Sequence, residues 1–245
     1  MTAALHAEWV KAATLRSTWL ALAGFAIAVT GISTAVVASV GGAEAAQPGY
    51  DAGLLAFYGL NFGHVAVIVV AVLLTAGEYG RQTVHASLVA VPRRGVFLAS
   101  KVAVGAGLVL GTATVTALVT VVATQALLGP DGLPLSGLVR PTVAAALYPT
   151  LLTVFCMGVA MVLRDQAGAL SLLIPFFFLV SPLLELVPAL QRAAVFLPDR
   201  AGQVAVRLQA RPIDVFGPVT GLAVLAAWAA AAVLAGWWVL RRRDA

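Results

Sequence analysis

Six apolar segments constrain this chain more than any other feature, because each is about as long as a helix must be to cross a bilayer, roughly 20 residues at 1.5 Å per residue. They cover residues 19–40, 57–76, 102–128, 143–163, 167–186 and 219–240. Each is apolar continuously, without the alternation of a barrel strand, so helices are the spanning structure expected to satisfy every backbone group. The expected fold is all-α: a single polytopic membrane domain over residues 1–245, with six transmembrane helices and no soluble domain. Only 10% of the residues are charged, against roughly a quarter in soluble domains. The first segment follows Lys11 and Arg16 and precedes an "AEA" at 43–45, as a secretory signal would. It is too long for a signal core of 7–15 residues, and a retained span is expected.

An even number of crossings puts both termini on one side. Lys11, Arg16, Arg81, Arg93, Arg94, Lys101, Arg164, Arg241, Arg242 and Arg243 fall on that side, which the positive-inside rule makes cytoplasmic, in a plasma membrane. Arg140, Arg192, Arg200, Arg207 and Arg211 fall on the other side and oppose this orientation. The formal charge of +5 does not point to nucleic acid, because the basic residues flank crossings instead of forming one soluble patch. Cys156 is the single cysteine and lies mid-span, so no internal disulfide forms.

Inside the apolar segments polar groups are few. Asn61 and His64, beside Gly59 and Gly63, are weak candidates for substrate contact, and small-residue helix packing near the outer interface is the favoured account of them. Lys101 is expected to snorkel from the end of the third span. Pro149, Pro175 and Pro182 are expected to interrupt and bend their helices. "GAGLVLG" at 105–111 looks like a dinucleotide loop but lies inside an apolar span without a preceding strand, so Gly107 and Gly111 are expected to allow close helix contact.

The polar stretch "GEYGRQTVHASLVAVPRRG", residues 77–95, separates the second and third spans. Residues 78–91 can form about four helical turns, with Val84, Leu88 and Val91 on one face and Arg81 and His85 on another. Glu78 suits the helix start and Pro92 ends it. At the N-terminus, residues 1–18 form an expected interfacial helix with Leu5, Trp9 and Ala12 on one face and Glu8 and Lys11 on another. Its anchors are Trp9, Lys11 and Arg16, joined by Arg93 and Arg94. Arg164 and Asp165 lie in the short connection "RDQAG". Before the last span, Arg200, Arg207 and Arg211 can share a helical face with Gln203, opposite Ala201, Ala205 and Leu208. Such a helix would rest on headgroups or gate an exit path.

Four blocks carry a family resemblance: "AEWVKAATLRSTW" (7–19), "GEYGRQTVHASLVAVPRR" (77–94), "VLRDQAGAL" (162–170) and "FLPDRAGQ" (196–203). In this order and with this topology the chain resembles the exporter-type ABC transporter permeases of the type-two superfamily, as a six-span stand-alone subunit. The resemblance implies a permease dimer, most simply a homodimer, paired with two copies of a separate ATP-binding cassette ATPase. It implies that Glu78, Tyr79, Arg81, Val84 and His85 lie in the main coupling helix and Arg164 and Asp165 in a minor one. Pro198 and Gly202 would shape an outer cap with Arg200, Arg207 and Arg211. The sequence departs from the family where Gly80 replaces a basic residue after the tyrosine.

A phosphate-binding loop needs a lysine after glycine in a Gly-rich turn, and the two lysines, Lys11 and Lys101, follow Val10 and Ser100. ATP and its Mg ion are therefore expected in the partner subunit, with no catalytic residue and no cofactor in this chain. His6, His64 and His85 lack metal-ligand spacing, so no metal is expected. The apolar walls suggest a hydrophobic or amphipathic substrate such as a drug, lipid or peptide antibiotic. Besides membrane lipids and the ATPase, no nucleic-acid partner is expected. An ion-coupled transporter or channel, and a non-transporting adaptor or immunity protein, remain as alternatives; the former is disfavoured by the lack of midplane charge.

Overall fold

The computed structural model describes residues 2–45, 47, 49–80, 93–129, 132 and 135–242. The described residues form helices and their connections, with no strand among them: α1 (Thr2–Thr14), α2 (Arg16–Ala45), α3 (Ala52–Ala56), α4 (Leu60–Thr75), α5 (Gly77–Gly80), α6 (Arg94–Leu128), α7 (Val139–Leu163), α8 (Gln166–Pro175), α9 (Ser181–Leu186), α10 (Gln191–Ala194), α11 (Pro198–Val206) and α12 (Pro218–Arg242). Five stretches are long and apolar enough to cross a membrane: Arg16–Ala43, Arg94–Leu128, Ser136–Leu163, Gln166–Leu186 and Pro218–Arg242. Large apolar side chains along them, including Leu20, Ile27 and Val115, point outward and are exposed. A soluble monomer seldom shows so much contiguous apolar surface.

The segment expected over 57–76 is shorter than the rest. Its helix, α4, has 16 residues, about 24 Å at 1.5 Å per residue. The reason is local. Asp51 accepts a hydrogen bond from the Leu54 amide at 2.9 Å and so starts α3 as a separate helix, which satisfies one orphan donor of its first turn. The chain then turns through residues 57–59 before α4 begins. Elsewhere helices outrun the apolar segments, because polar flanks remain helical once a long apolar run has nucleated them. Accordingly α6 has 35 residues, beginning at Arg94.

The centre of the bundle is α7. In the membrane-length stretch that contains it, 67% of the most apolar window is buried, against 22–33% in the other four. Small residues let its neighbours approach: a Cβ at Gly158 would collide with the α12 backbone at Ala232 and Val233. Gly59, which precedes α4, and Gly63 within it lie likewise against Val29 and Phe25 of α2. Gly107 and Gly111 do not act this way; both face open space with no atom within 4 Å of an added Cβ. Gly105 is the residue of that run packed against α7, at Met157.

The prolines differ in effect. Pro149 lies within an unbroken α7, whereas after Pro175 the backbone passes into a π-helical stretch, Phe176–Val180, before Pro182 restarts an α-helix as part of α9. A widened turn of this kind absorbs the missing proline donor. Arg164, at φ 57°, ends α7 in a left-handed conformation, and Asp165 caps α8 by accepting from the Gly168 amide at 2.5 Å.

Candidate functional site

Polar side chains gather at the two ends of this bundle. At the end that carries Thr2 and Arg242, four charges from three helices meet. Lys101 of α6 has a side chain only 2% exposed, with Nζ 2.7 Å from Glu8 of α1 and 2.8 Å from Glu78 of α5. It also donates to the Leu74 carbonyl at the end of α4, at 3.1 Å. Lys11 pairs with Glu8 and lies 2.5 Å from Glu78. Among the described residues the cluster is formally neutral, and the Phe97 ring lies 5.0 Å from Lys101 Nζ and 5.8 Å from Lys11 Nζ, where its face favours a cation.

One sequence expectation is overturned here. Lys101 does not snorkel; it points inward to two carboxylates. The buried face of α1 is Ala4, Glu8 and Ala12, so Glu8 turns into the bundle, and Trp9 is exposed. Burying a carboxylate is tolerable only with a compensating cation, and Lys101 supplies it.

The electrostatics follow from this geometry. Burial pushes the Glu78 carboxyl up, but the Lys101 charge and hydrogen bonds from both lysines outweigh it and hold Glu78 below its usual range. Burial pulls Lys11 down, and its bonds to Glu78 and Glu8 more than reverse that, leaving it raised.

Tyr79, next to Glu78, also packs inward. Its hydroxyl donates to Met161 Sδ at 3.4 Å, and the Arg164 guanidinium lies 5.4 Å from its ring centroid. Burial raises the Tyr79 phenol above its ordinary value. Arg164 also donates to the Val239 carbonyl at 3.1 Å, and Arg94 to the Leu240 carbonyl at 2.6 Å. Arg164 and Asp165 thus build the turn that ties α7 to α8, α5 and α12. Arg16 and Arg93 are exposed. Arg81, Val84 and His85 lie outside the described residues.

At the opposite end, α11 sits inside the bundle against α7 and α12 instead of resting on the surface; Pro198, Asp199, Ala201, Gly202, Val204, Ala205 and Val206 are buried. The helix ends at Val206, so Arg207 and Arg211 do not share a helical face with Arg200. Arg207 is an extended cap at ψ 142°, and Arg140 takes up the freed carbonyls, donating to Ala205 and Arg207 at 3.2 and 2.6 Å. Arg200 pairs with Glu185 at 2.6 Å, Arg211 with Glu185 at 2.5 Å, and Arg207 with Asp214 at 3.3 Å. Asp199, hydrogen-bonded by Ser181 at 2.6 Å, has its carboxyl raised by burial, which outweighs Ser181 and Arg200.

From this network a polar chain enters the bundle. Gln203 donates to Asn61 at 3.0 Å, and the Tyr148 hydroxyl bonds to His64 Nε2. Gly202 lies under the Tyr148 ring with no room for a side chain. Asn61 and His64, named from sequence, are thus brought together with Gln203 and Tyr148, and His64 is buried.

No protein-family model and no curated protein matches this chain. Function is therefore argued from the geometry and the sequence pattern. Glu8, Lys101, Tyr148, Asp199 and Asp214 escaped the sequence-based site. For Lys101 and Tyr148 the available signal was a polar residue in an apolar helical run, where burial demands a partner from another helix.

Proposed function

We propose that the chain is the transmembrane subunit of an ATP-driven ABC exporter, taking a hydrophobic or amphipathic substrate and driven by a separate ATPase that holds ATP and Mg. The carrying observation is the ionic cluster of Glu8, Lys11, Glu78 and Lys101. It ties the N-terminal helix and the start of the 77–95 connection to α6 through buried ionic contacts. A load applied by a soluble motor to that connection is then shared with a membrane-length helix instead of being lost in a loose loop.

In this reading α4, with the turn before it and α5 after it, makes a sixth crossing, and both termini face the cytoplasm of a plasma membrane. Lys11, Arg16, Arg93, Arg94 and Lys101 then lie on the cytoplasmic side with Arg241 and Arg242, whose guanidinium groups stand 4.8 and 4.5 Å from the rings of Trp237 and Trp238. Such pairs suit an interfacial belt. Of the arginines at the opposite end, Arg140, Arg200, Arg207 and Arg211 are engaged by carboxylates or backbone carbonyls. A second permease copy completes the proposed assembly.

The test is to co-express the chain with a candidate cassette ATPase and purify the complex. A stable complex is expected, with Glu78→Gln and Tyr79→Ala reducing ATP turnover in it. In a Cys156→Ser background, Arg93→Cys should react with an impermeant maleimide in inside-out vesicles and not in right-side-out ones. Absence of association, or labelling from the cell exterior, refutes the proposal.

A further inference from the structure

A cavity of about 530 Å³ lies at the end of the bundle opposite the termini, between the last turns of α2 and helix α3. Its volume is that of a drug-sized ligand site. Val36 and Val40 of α2 and Leu54 and Leu55 of α3 give it an apolar wall, and Tyr50, Asp51 and Tyr58 supply the polar part. Among its described lining residues there is no lysine or arginine.

The polar part is fixed before any ligand arrives. Asp51 accepts from the amides of Leu54, Leu208 and Gln209 at 2.9, 3.0 and 2.9 Å, and the Tyr50 carbonyl accepts from Gln209 Nε2 at 2.8 Å. These bonds hold the carboxylate in place through neutral amides, and the Arg207 guanidinium acts on it electrostatically from outside the described lining. Tyr50 is half-buried. Tyr58 is exposed.

We propose that this cavity binds amphipathic cations, the apolar body lying on the valine and leucine wall and the positive head near Asp51, Tyr50 and Tyr58. A carboxylate and two tyrosine rings, with no lysine or arginine among the described lining residues and Arg207 acting on Asp51 only from outside that lining, attract a weakly hydrated cation and disfavour an anion of the same shape. The proposal stands independently of what drives transport, because it rests on the cavity alone.

The full chain in phosphatidylcholine nanodiscs is titrated with radiolabelled tetraphenylphosphonium and, separately, with tetraphenylborate, an ion of similar shape and opposite charge, each against empty nanodiscs. Saturable binding of the cation alone is expected. Ser39→Trp, placed on the exposed α2 face of the cavity, should abolish it, and Tyr58→Leu should weaken it about three- to tenfold. Leu55→Trp is a second filling variant should the first fail to fold, with burial of Cys156 reporting the fold. Saturable binding of both ions or of neither overturns the proposal, as does cation binding left unchanged by a folded filling variant or by Tyr58→Leu.

Discussion

Replacing Lys101 by Met keeps most of the side-chain volume and removes the cation that Glu8 and Glu78 share. Lys101 is 2.7 and 2.8 Å from the two carboxylates and almost wholly buried. Removing one member of a buried pair costs about 3–5 kcal/mol, but the carboxylates have an escape, since one of them can take up a proton. From an ordinary Glu pKa near 4.3, that costs about 3.7 kcal/mol at pH 7 and about 1 kcal/mol at pH 5. Lys11 still bridges both groups, so the expected loss is about 2–4 kcal/mol at pH 7, falling to about 1 kcal/mol or less at pH 5. For a chain of this size that is a melting temperature roughly 5–15 °C lower at neutral pH.

The assay uses Cys156, which is buried and the single cysteine, by following a thiol-reactive fluorophore during heating. Glu8→Gln in the Lys101→Met background removes the surplus negative charge and should recover part of the loss. The pH sign follows from the two shifted groups. Glu78 is depressed on folding, so its contribution is present above the usual carboxylate range and lost as pH falls through its folded value. Lys11 is raised, so its contribution is present below the usual lysine range and lost as pH rises through its folded value. A Lys101→Met protein as stable as the parent at pH 7, or equally weakened at pH 5 and 7, would refute the reasoning.

Asp51→Ala removes the cap of α3 and two bonds to the 208–209 backbone, costing about 2–3 kcal/mol in the same thermal assay, while Asp51→Asn, which retains a capping oxygen, loses less. Gly202→Ala forces a methyl group into the Tyr148 ring and should cost about 1–3 kcal/mol, with the Tyr148→Leu background relieving part of it. Asp199 is raised by burial, so the folded state holds its proton more tightly and stability declines as pH rises from the usual aspartate range towards the folded value. Melting curves of Asp199→Asn and the parent should therefore converge at low pH and separate at neutral pH, with the variant the more stable.

The long apolar runs were legible because continuous hydrophobicity over about 20 residues matches the thickness of the hydrocarbon layer and is seldom needed in a soluble core, and five of the six reappear as helices of membrane length. The second failed on length for a reason present in the sequence: Asp51 stands three residues before Leu54, the spacing of an N-cap, and opens a separate helix. The glycine run misled because a stripe of small residues does not say which of its members faces a neighbour. Gly105 meets Met157, while Gly107 and Gly111, two and six positions on, point away from the bundle.

The charge cluster was hidden for a deeper physical reason. Amphipathic reasoning put Leu5, Trp9 and Ala12 on one face and Glu8 and Lys11 on another of a helix in the membrane interface, without a protein partner for Glu8. For a helix at a membrane surface, lipid competes with the protein interior for the apolar face, and the protein side is free to take polar groups that find partners there. Glu8 turns inward because Lys101, 93 residues away, is itself stranded near the end of an apolar helix and needs an anion. Neither placement is favourable alone, and together they become so. The same pairing across distant sequence holds the opposite end, where Arg211 reaches Glu185 and Arg140 caps the end of α11. In a chain with so few charges, each charge near an apolar helix therefore implies a counter-charge or a carbonyl on another element, and those pairs determine how the ends of the bundle are joined.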